Sequence, residues 1–265
     1  MIRLLAVDMD GTCLNRKNQI SEQNMAALRR LVQSGIQIVP ASGRACTCLP
    51  HQLRAAPLLF RYAITSNGAR VDDVRGHCLF CQEIYPDTAL SLLSDCQTLR
   101  IGVSAHIRRE YLLQGRLLQM MGKAVYGKDA EQARCVPDLR PLIKQSRGAE
   151  ELQFYFFSRT AREALRQILS YYPTLNAAYS SSYVEIFSAE ASKGKALSAL
   201  AQHLHLDRSQ IACIGDSEND LSMFEAAGTR FAVGNAIDAL KQQADHVLPD
   251  RDHGPIAATA AILGI

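Results

Sequence analysis

Apolar positions fall in short unbroken runs near both ends of the chain. "RLLAV" (3–7), "IQIVP" (36–40) and "YAITS" (62–66) lie in the first third, and "IACIG" (211–215) and "RFAVG" (230–234) in the last. Runs of this length, apolar on both alternating faces, predict strands buried on both sides of a sheet. The segments between them change period. Residues 21–34 put Leu28, Leu31 and Val32 on one helical face, with Ser21 as candidate N-cap and Gly35 as the stop. "NDLSMFEAAG", "DALKQQA" and "GPIAATAAIL" predict further helices, and "HVL" a last short strand. Strands alternating with helices predict a parallel sheet covered on both faces.

The middle of the chain has a different pattern. "EIYPDTALSLLSDC" (83–96) and "TAREALRQILSYY" (160–172) predict helices, and "ELQFYFFS" (151–158) a strand. "LNAAYSSSYVEIF" (175–187) predicts two strands with a turn near Ser180 to Ser182. Strands that follow one another directly indicate an antiparallel sheet and an α+β module. The expected organisation is a parallel α/β core formed by 1–83 and 188–265, split by an inserted domain at 84–187. Pro40 is expected to be the last residue of its strand, because it offers no N–H to a ladder.

Composition narrows the class. The 265 residues are 48% hydrophobic and 21% charged, with a formal net charge of +3. That is ordinary for a globular protein and too weakly basic to argue for nucleic acid or a membrane surface. No run approaches the roughly 18 apolar residues of a membrane span. No secretory leader is apparent, since Asp8 interrupts the first apolar run. The eight cysteines are therefore expected to be reduced thiols in a cytoplasmic protein. "CLFC" pairs Cys78 with Cys81 but lacks the two further ligands of a zinc site, so zinc is not expected.

The candidate chemistry sits where the predicted strands end. Asp8 and Asp10 follow the first strand, Ser42 and Gly43 in "ASGR" the second, Asn67 in "SNGA" the third, and "GDSEND" the strand ending at Ile214. Ligands of parallel sheets bind beyond these carboxyl ends. Asp8, Asp10, Asp216 and Asp220 would then be neighbours, and like charges that close require a cation. A hard, oxygen-ligated ion such as Mg²⁺ answers that need. The alternative for "GDSEND" is helix capping, which leaves Asp8 and Asp10 unexplained. Lys193, in the first turn of the helix predicted for "SKGKALSALAQHL", opposes the helix dipole unless it neutralises such a cluster. Asp8 and Asp10, two apart, share one side of an extended strand, and Gly11 permits a sharp turn after them.

Taken together, "DMDGT", "ASGR", "EASKGKAL" and "GDSEND", in this order along the chain, resemble the four motifs of the haloacid dehalogenase-like phosphatases. "SNGA" and "VGNA" add local matches, and the insertion resembles the type IIB cap of the Cof-like subgroup. The resemblance implies a Rossmann-like core with an inserted cap that selects substrates. It implies Asp8 as nucleophile forming an aspartyl-phosphate and Asp10 as general acid and then base. Mg²⁺ would be held by Asp8, the carbonyl of Asp10 and Asp216. Ser42, Gly43, Lys193 and Asn219 would bind the phosphoryl group, with Asp220 and Asn67 in support. The expected activity is hydrolysis of small phosphorylated metabolites such as sugar phosphates. A phosphotransferase or mutase with the same motifs, and an inactive phosphate-binding regulator, are the alternatives. Arg108, Arg109, Tyr111 and Lys123 are candidate cap residues toward the substrate; oligomeric state is not readable.

Overall fold

The computed structural model of the chain describes residues 1–116, 118 and 127–265, so Lys123 lies outside the described residues. The chain divides into two compact units. The first contains Met1–Gly43, Leu49–Phe80 and Ser192–Ile265; the second contains Arg44–Cys48 and Cys81–Ala191.

The first unit is built on an eight-stranded sheet. Its strands are β1 (Leu4–Asp8), β2 (Gln37–Ala41), β3 (Tyr62–Thr65), β4 (Arg70–Asp73), β5 (Cys78–Cys81), β12 (Ile211–Gly215), β13 (Thr229–Ala232) and β14 (His246–Val247). They lie in the order β14-β13-β12-β1-β2-β3-β4-β5. From β14 to β3 every neighbour is parallel, and β4 turns back antiparallel to β3. β1 and β12 are buried at every position, as their unbroken apolar runs require. Helix α1 (Glu22–Gln33) starts at Ser21, whose Oγ accepts from Asn24 N–H at 3.2 Å. It buries Ala27, Leu28 and Leu31 in the core, each leucine contributing about 1.5–3 kcal/mol by removal from water. The short helix α2 (His51–Arg54) adds Leu53 to the same core.

β2 runs through Pro40 to Ala41 instead of ending at the proline. Gln37 N–H donates to Arg3 O on the β1 side and Ser42 N–H to Ile64 O on the β3 side. Alternation along the strand therefore turns position 40 toward β3. There the pairing consists of Ala41↔Ile64 and one isolated bridge, Ile38↔Phe60. The proline's missing donor falls in this gap, where the ladder is sparse, and the strand continues past it.

The two cysteines of "CLFC" occupy both ends of β5. Three apart on a strand, they point to opposite faces and cannot chelate one ion.

The second unit has a six-stranded sheet. Its strands are β6 (Ile101–Ile107), β7 (Glu110–Gln114), β8 (Arg134–Val136), β9 (Glu151–Phe156), β10 (Leu175–Tyr179) and β11 (Tyr183–Ser188). They lie in the order β10-β11-β9-β6-β7-β8. All neighbours are antiparallel except β7 and β8. Helices α3 (Pro86–Asp95), α4 (Arg140–Gln145) and α5 (Arg159–Leu169) contribute Leu92, Ile143 and Leu165 to one apolar core with Val184, Leu152 and Phe154. No helix among the described residues is long and apolar enough to cross a membrane.

On β6, β7 and β9, Ser104, Tyr111 and Tyr155 all direct hydroxyls at Gln153 Oε1, at 3.2, 3.0 and 2.9 Å. His106, fully buried beside this network, has its pKa lowered to about 3 by burial. Its Nδ1 is 3.7 Å from Glu151 Oε1, beyond hydrogen-bond reach. The unfolded chain takes up the proton near pH 6.5 and the folded chain does not. Stability is therefore expected to fall as pH drops from about 6.5 toward 3, by about 2–4 kcal/mol in all. Denaturant unfolding at pH 7 and pH 4.5 checks this: a His106→Gln variant should lose less stability over that interval than the wild type.

Candidate active site

The parallel strands of the first unit end level with one another. Val7 pairs with Ile214, Asp8 with Ala41, and Ala41 with Ile64. This register brings Asp8, Ser42, Ser66 and Gly215 to one edge of the sheet, and the residues after them build the site.

Lys193 is the centre of the arrangement. It opens helix α6 (Lys193–His203), whose N-cap Ser192 accepts from Lys195 N–H at 3.1 Å. Its side chain has no solvent exposure. Nζ donates to Asp8 Oδ1 at 2.6 Å and to Asp220 Oδ1 at 2.7 Å. The start of the helix is seated by Gly68 (φ +89°), where a Cβ would lie 2.2 Å from the Ser192 carbonyl carbon. Gly68 ends a run in which Ser66 and Asn67 also have positive φ, 51° and 54°. Non-glycine residues in this region store about 1–3 kcal/mol each, a strain that concentrates at functional sites.

Around the lysine, the acids take distinct positions. Asp220 Oδ2 accepts from the backbone N–H groups of Asp216 (2.9 Å) and Ser217 (3.1 Å), so both its oxygens are engaged. Asp216 Oδ1 accepts from Thr12 Oγ1 at 3.0 Å. Asp216 Oδ2 lies against Gly11 (φ +89°), where a Cβ would be only 2.3 Å away. Glycine is thus required at position 11 by both dihedral and space. Asp8 Oδ2 is buried and receives no hydrogen bond from any fixed donor. Asp10 is exposed, two residues beyond β1, and is not one of the three clustered carboxylates.

Burial, and then the charge of Asp220, raise the pKa of Asp8 well above the ordinary carboxylate range; Lys193 opposes them. Asp216 is raised for the same two reasons. Burial disfavours the Lys193 ammonium, but Asp220 and Asp8 outweigh it and raise its pKa above that of an ordinary lysine. One cation among three acids leaves the cluster short of positive charge.

Among the described residues, oxygens of Asp8, Asp216 and Asp220 lie within 4.8 Å of one another, a spacing that suits a metal ion. Asp220 is the most heavily engaged of the three, with three hydrogen bonds, which leaves Asp8 and Asp216 the more open carboxylates. This all-oxygen set, with one buried oxygen lacking a donor, fits a hard divalent cation.

The neutral donors are also in place. Ser42 directly follows β2 and is buried; its N–H donates to Ile64 O at 3.0 Å and its carbonyl accepts from Asn67 N–H at 3.2 Å. Asn67 Oδ1 accepts from Asn219 Nδ2 at 2.9 Å, and Ser217 Oγ donates to Asn219 Oδ1 at 2.8 Å. Three further residues hold the site together without standing out in the sequence. Thr12 orients Asp216, Ser217 orients Asn219, and Asn235 donates to Gly11 O at 2.8 Å. Each stands inside one of the motifs, but only the folded chain shows which atoms they hold. In the second unit, Arg108 Nη2 donates to Gln145 O, Arg109 Nη2 donates to Cys46 Sγ, and Tyr111 is buried in the network around Gln153.

The sequence model of the haloacid dehalogenase-like hydrolases matches residues 5–259. The chain belongs to this family. It is 27% identical to the 5-amino-6-(5-phospho-D-ribitylamino)uracil phosphatase YwtE of Bacillus subtilis (strain 168), over 97% of this chain and 96% of the relative. It superposes on TM0651 from Thermotoga maritima with a TM-score of 0.84 at 26% identity, covering 99% and 97% of the two chains. The HAD subclass IIB sugar phosphatase BT4131 shares the fold, with a TM-score of 0.82 at 18% identity and 99% coverage of each chain. The protein is thus a haloacid dehalogenase-like hydrolase; the relative YwtE is named a phosphatase, and the chain shares its fold with a subclass IIB sugar phosphatase.

Proposed function

We propose that the protein is a Mg²⁺-dependent phosphatase of small phosphorylated metabolites, acting through an aspartyl-phosphate on Asp8. The observation that carries this reading is the fully buried Lys193 ammonium bridging Asp8 and Asp220, with Asp216 beside them. A charge network of this kind is costly to bury and is explained by a divalent cation and an anionic substrate that bind there together. The ribityl phosphate in the name of YwtE and the sugar phosphates implied by that of BT4131 support a small phosphomonoester as substrate. The eight cysteines, read as reduced thiols, fit a reducing compartment, the cytoplasm.

In this reading, Ser42 Oγ, the Gly43 N–H, Lys193 Nζ and Asn219 hold the phosphoryl oxygens. Asp8 Oδ bonds to phosphorus while the bond to the leaving oxygen breaks. Asp10, exposed beside it, gives that oxygen a proton. A water molecule then bonds to phosphorus, Asp10 takes its proton, and the Asp8–phosphorus bond breaks to release phosphate. Splitting one displacement into two lowers each barrier. Asp220 acts by fixing Lys193, and Asn67 by fixing Asn219. Asp8, the Asp10 carbonyl and Asp216 would hold the Mg²⁺ ion, which when bound offsets repulsion between the carboxylate and the anionic phosphoryl group. The insertion at 84–187 would act as a cap selecting the leaving group.

Phosphate release from a panel of sugar phosphates, nucleotides and related phosphomonoesters tests this. At least one compound should reach a kcat/KM of about 10⁴ M⁻¹s⁻¹ with Mg²⁺, and chelation should remove about 99% or more of the activity. No release from any compound, or full activity after chelation, would contradict the reading.

A further inference from the structure

We propose that the buried Arg44–Asp129 ion pair is a positioning device for Ser42 and Gly43, an inference that rests on the phosphate-binding role given to those two residues above. Arg44 Nη1 donates to Asp129 Oδ2 at 2.7 Å and to Cys48 O at 3.2 Å. The two side chains are only 6% and 4% exposed. Surface ion pairs are weak and yielding, but a buried one resists separation because either charge alone would be stranded without solvent.

The pair ties Arg44–Cys48 into the second unit, and other contacts reinforce it. Thr47 N–H donates to Arg109 O at 3.2 Å, and Tyr111 N–H donates to Thr47 Oγ1 at 3.2 Å. Ala45 and Cys48 pack in one apolar cluster with Tyr111, Leu113 and Leu118. Ser42, by contrast, is bound to the first unit through Ile64 O and Asn67 N–H. The chain passes from one unit to the other between Gly43 and Arg44. One residue therefore separates a phosphate-binding hydroxyl from a buried ionic anchor. Successive Cα atoms are 3.8 Å apart, so the Cα atoms of Ser42 and Arg44 are at most about 7 Å apart. That span is short, so a displacement of Arg44 beyond what the Gly43 dihedrals absorb reaches the Gly43 N–H and Ser42 Oγ. Another of the four passages, between Ala191 and Ser192, is likewise one residue from Lys193.

The test is the inhibition constant of inorganic phosphate, measured against hydrolysis of p-nitrophenyl phosphate in the full-length protein with Mg²⁺. Asp129→Asn should raise the phosphate Ki and the KM about tenfold while kcat changes less than threefold. Asp129→Glu should restore most of the affinity. In the Ser42→Ala background, Asp129→Asn should add less than a further twofold, because the hydroxyl it positions is gone. An unchanged Ki in folded Asp129→Asn, or fully independent effects of the two substitutions, would overturn the proposal. If Ser42→Ala itself leaves Ki unchanged, the phosphate-binding assignment fails, which is a different result. Should Asp129→Asn not give a cooperative melt, Arg44→Met/Asp129→Leu removes both charges at similar volume and takes its place. Hydrogen exchange on the wild type decides the matter without any variant. Saturating phosphate with Mg²⁺ should slow exchange in peptides spanning 44–48 and 127–130 together with those spanning 8–12 and 42–43. Slowing at 8–12 and 42–43 alone would overturn the proposal, and slowing nowhere would instead overturn the phosphate-binding reading.

Discussion

Asp8→Asn is expected to lower kcat by about 10⁴-fold or more, because the amide cannot act as the attacking carboxylate and loss of a covalent nucleophile has effects of this size. The same change should leave the protein folded and its melting temperature in metal-free buffer equal or higher. Asp8 is held unfavourably: burial and the Asp220 charge raise its pKa, and its Oδ2 has no fixed donor. Removing one of three crowded negative charges relieves that repulsion, an instance of active-site strain opposing stability. Steady-state kinetics and a thermal melt of the same preparation check both halves. Activity within a few per cent of wild type would remove Asp8 from the chemistry, and a melting temperature lowered by about ten degrees, a loss of roughly 3–5 kcal/mol for a chain of this size, would make it a structural residue.

Lys193→Met is expected to affect stability and activity together. It strands Asp220, which is fully buried, and Asp8 without the ammonium that both contact at 2.6–2.7 Å. Breaking a buried ionic network by removing one partner typically costs about 3–5 kcal/mol. Activity should fall about 10³-fold or more as the phosphoryl group loses its buried cation. Adding Asp220→Asn to Lys193→Met separates the two effects. Stability should return in part because one of the two stranded charges is neutralised, while activity should not. Denaturant melts and kinetics of the single and double variants check this. Recovery of activity in the double variant would mean that Lys193 matters only for folding.

How far the sequence anticipates this structure depends on whether a segment's environment is uniform. β1 and β12 are buried on both faces, so nearly every residue is apolar and the strands are legible. β6 and β7 are not, because one face carries Ser104, His106 and Tyr111, and polar residues there read as loop. Their turn is also disguised. Arg108 and Arg109 both take positive φ, 51° and 76°, the geometry of a tight hairpin turn that asparagine and glycine usually signal. The assignment of Arg44–Cys48 to the second unit has no sequence signature, since it depends on a partner 85 positions away.

The acids of the site are legible in the sequence because a carboxylate closing a buried apolar strand is costly unless a cation or ligand meets it. Their division of labour is not. That Asp220 is filled by Lys193 and two N–H groups, while Asp8 and Asp216 keep open oxygens, follows from the turn geometry of Ser217–Asp220 and from Thr12 on another strand connection. The supporting place that the resemblance implies for Asn67 takes the form of its Oδ1 holding Asn219. The left-handed turn at Ser66–Gly68 sets that orientation, and nothing in "SNGA" beyond its glycine announces it.

The covalent step at Asp8 can be observed directly. The wild-type enzyme is mixed with a good substrate and Mg²⁺, quenched in acid within one turnover and treated with borohydride, which reduces an acyl phosphate to an alcohol. Tandem mass spectrometry of the peptide spanning 4–14 should show homoserine at position 8, absent when substrate or Mg²⁺ is omitted. Substrate turnover with an unmodified residue 8, or with the reduced residue at Asp10, Asp216 or Asp220 instead, would contradict the account.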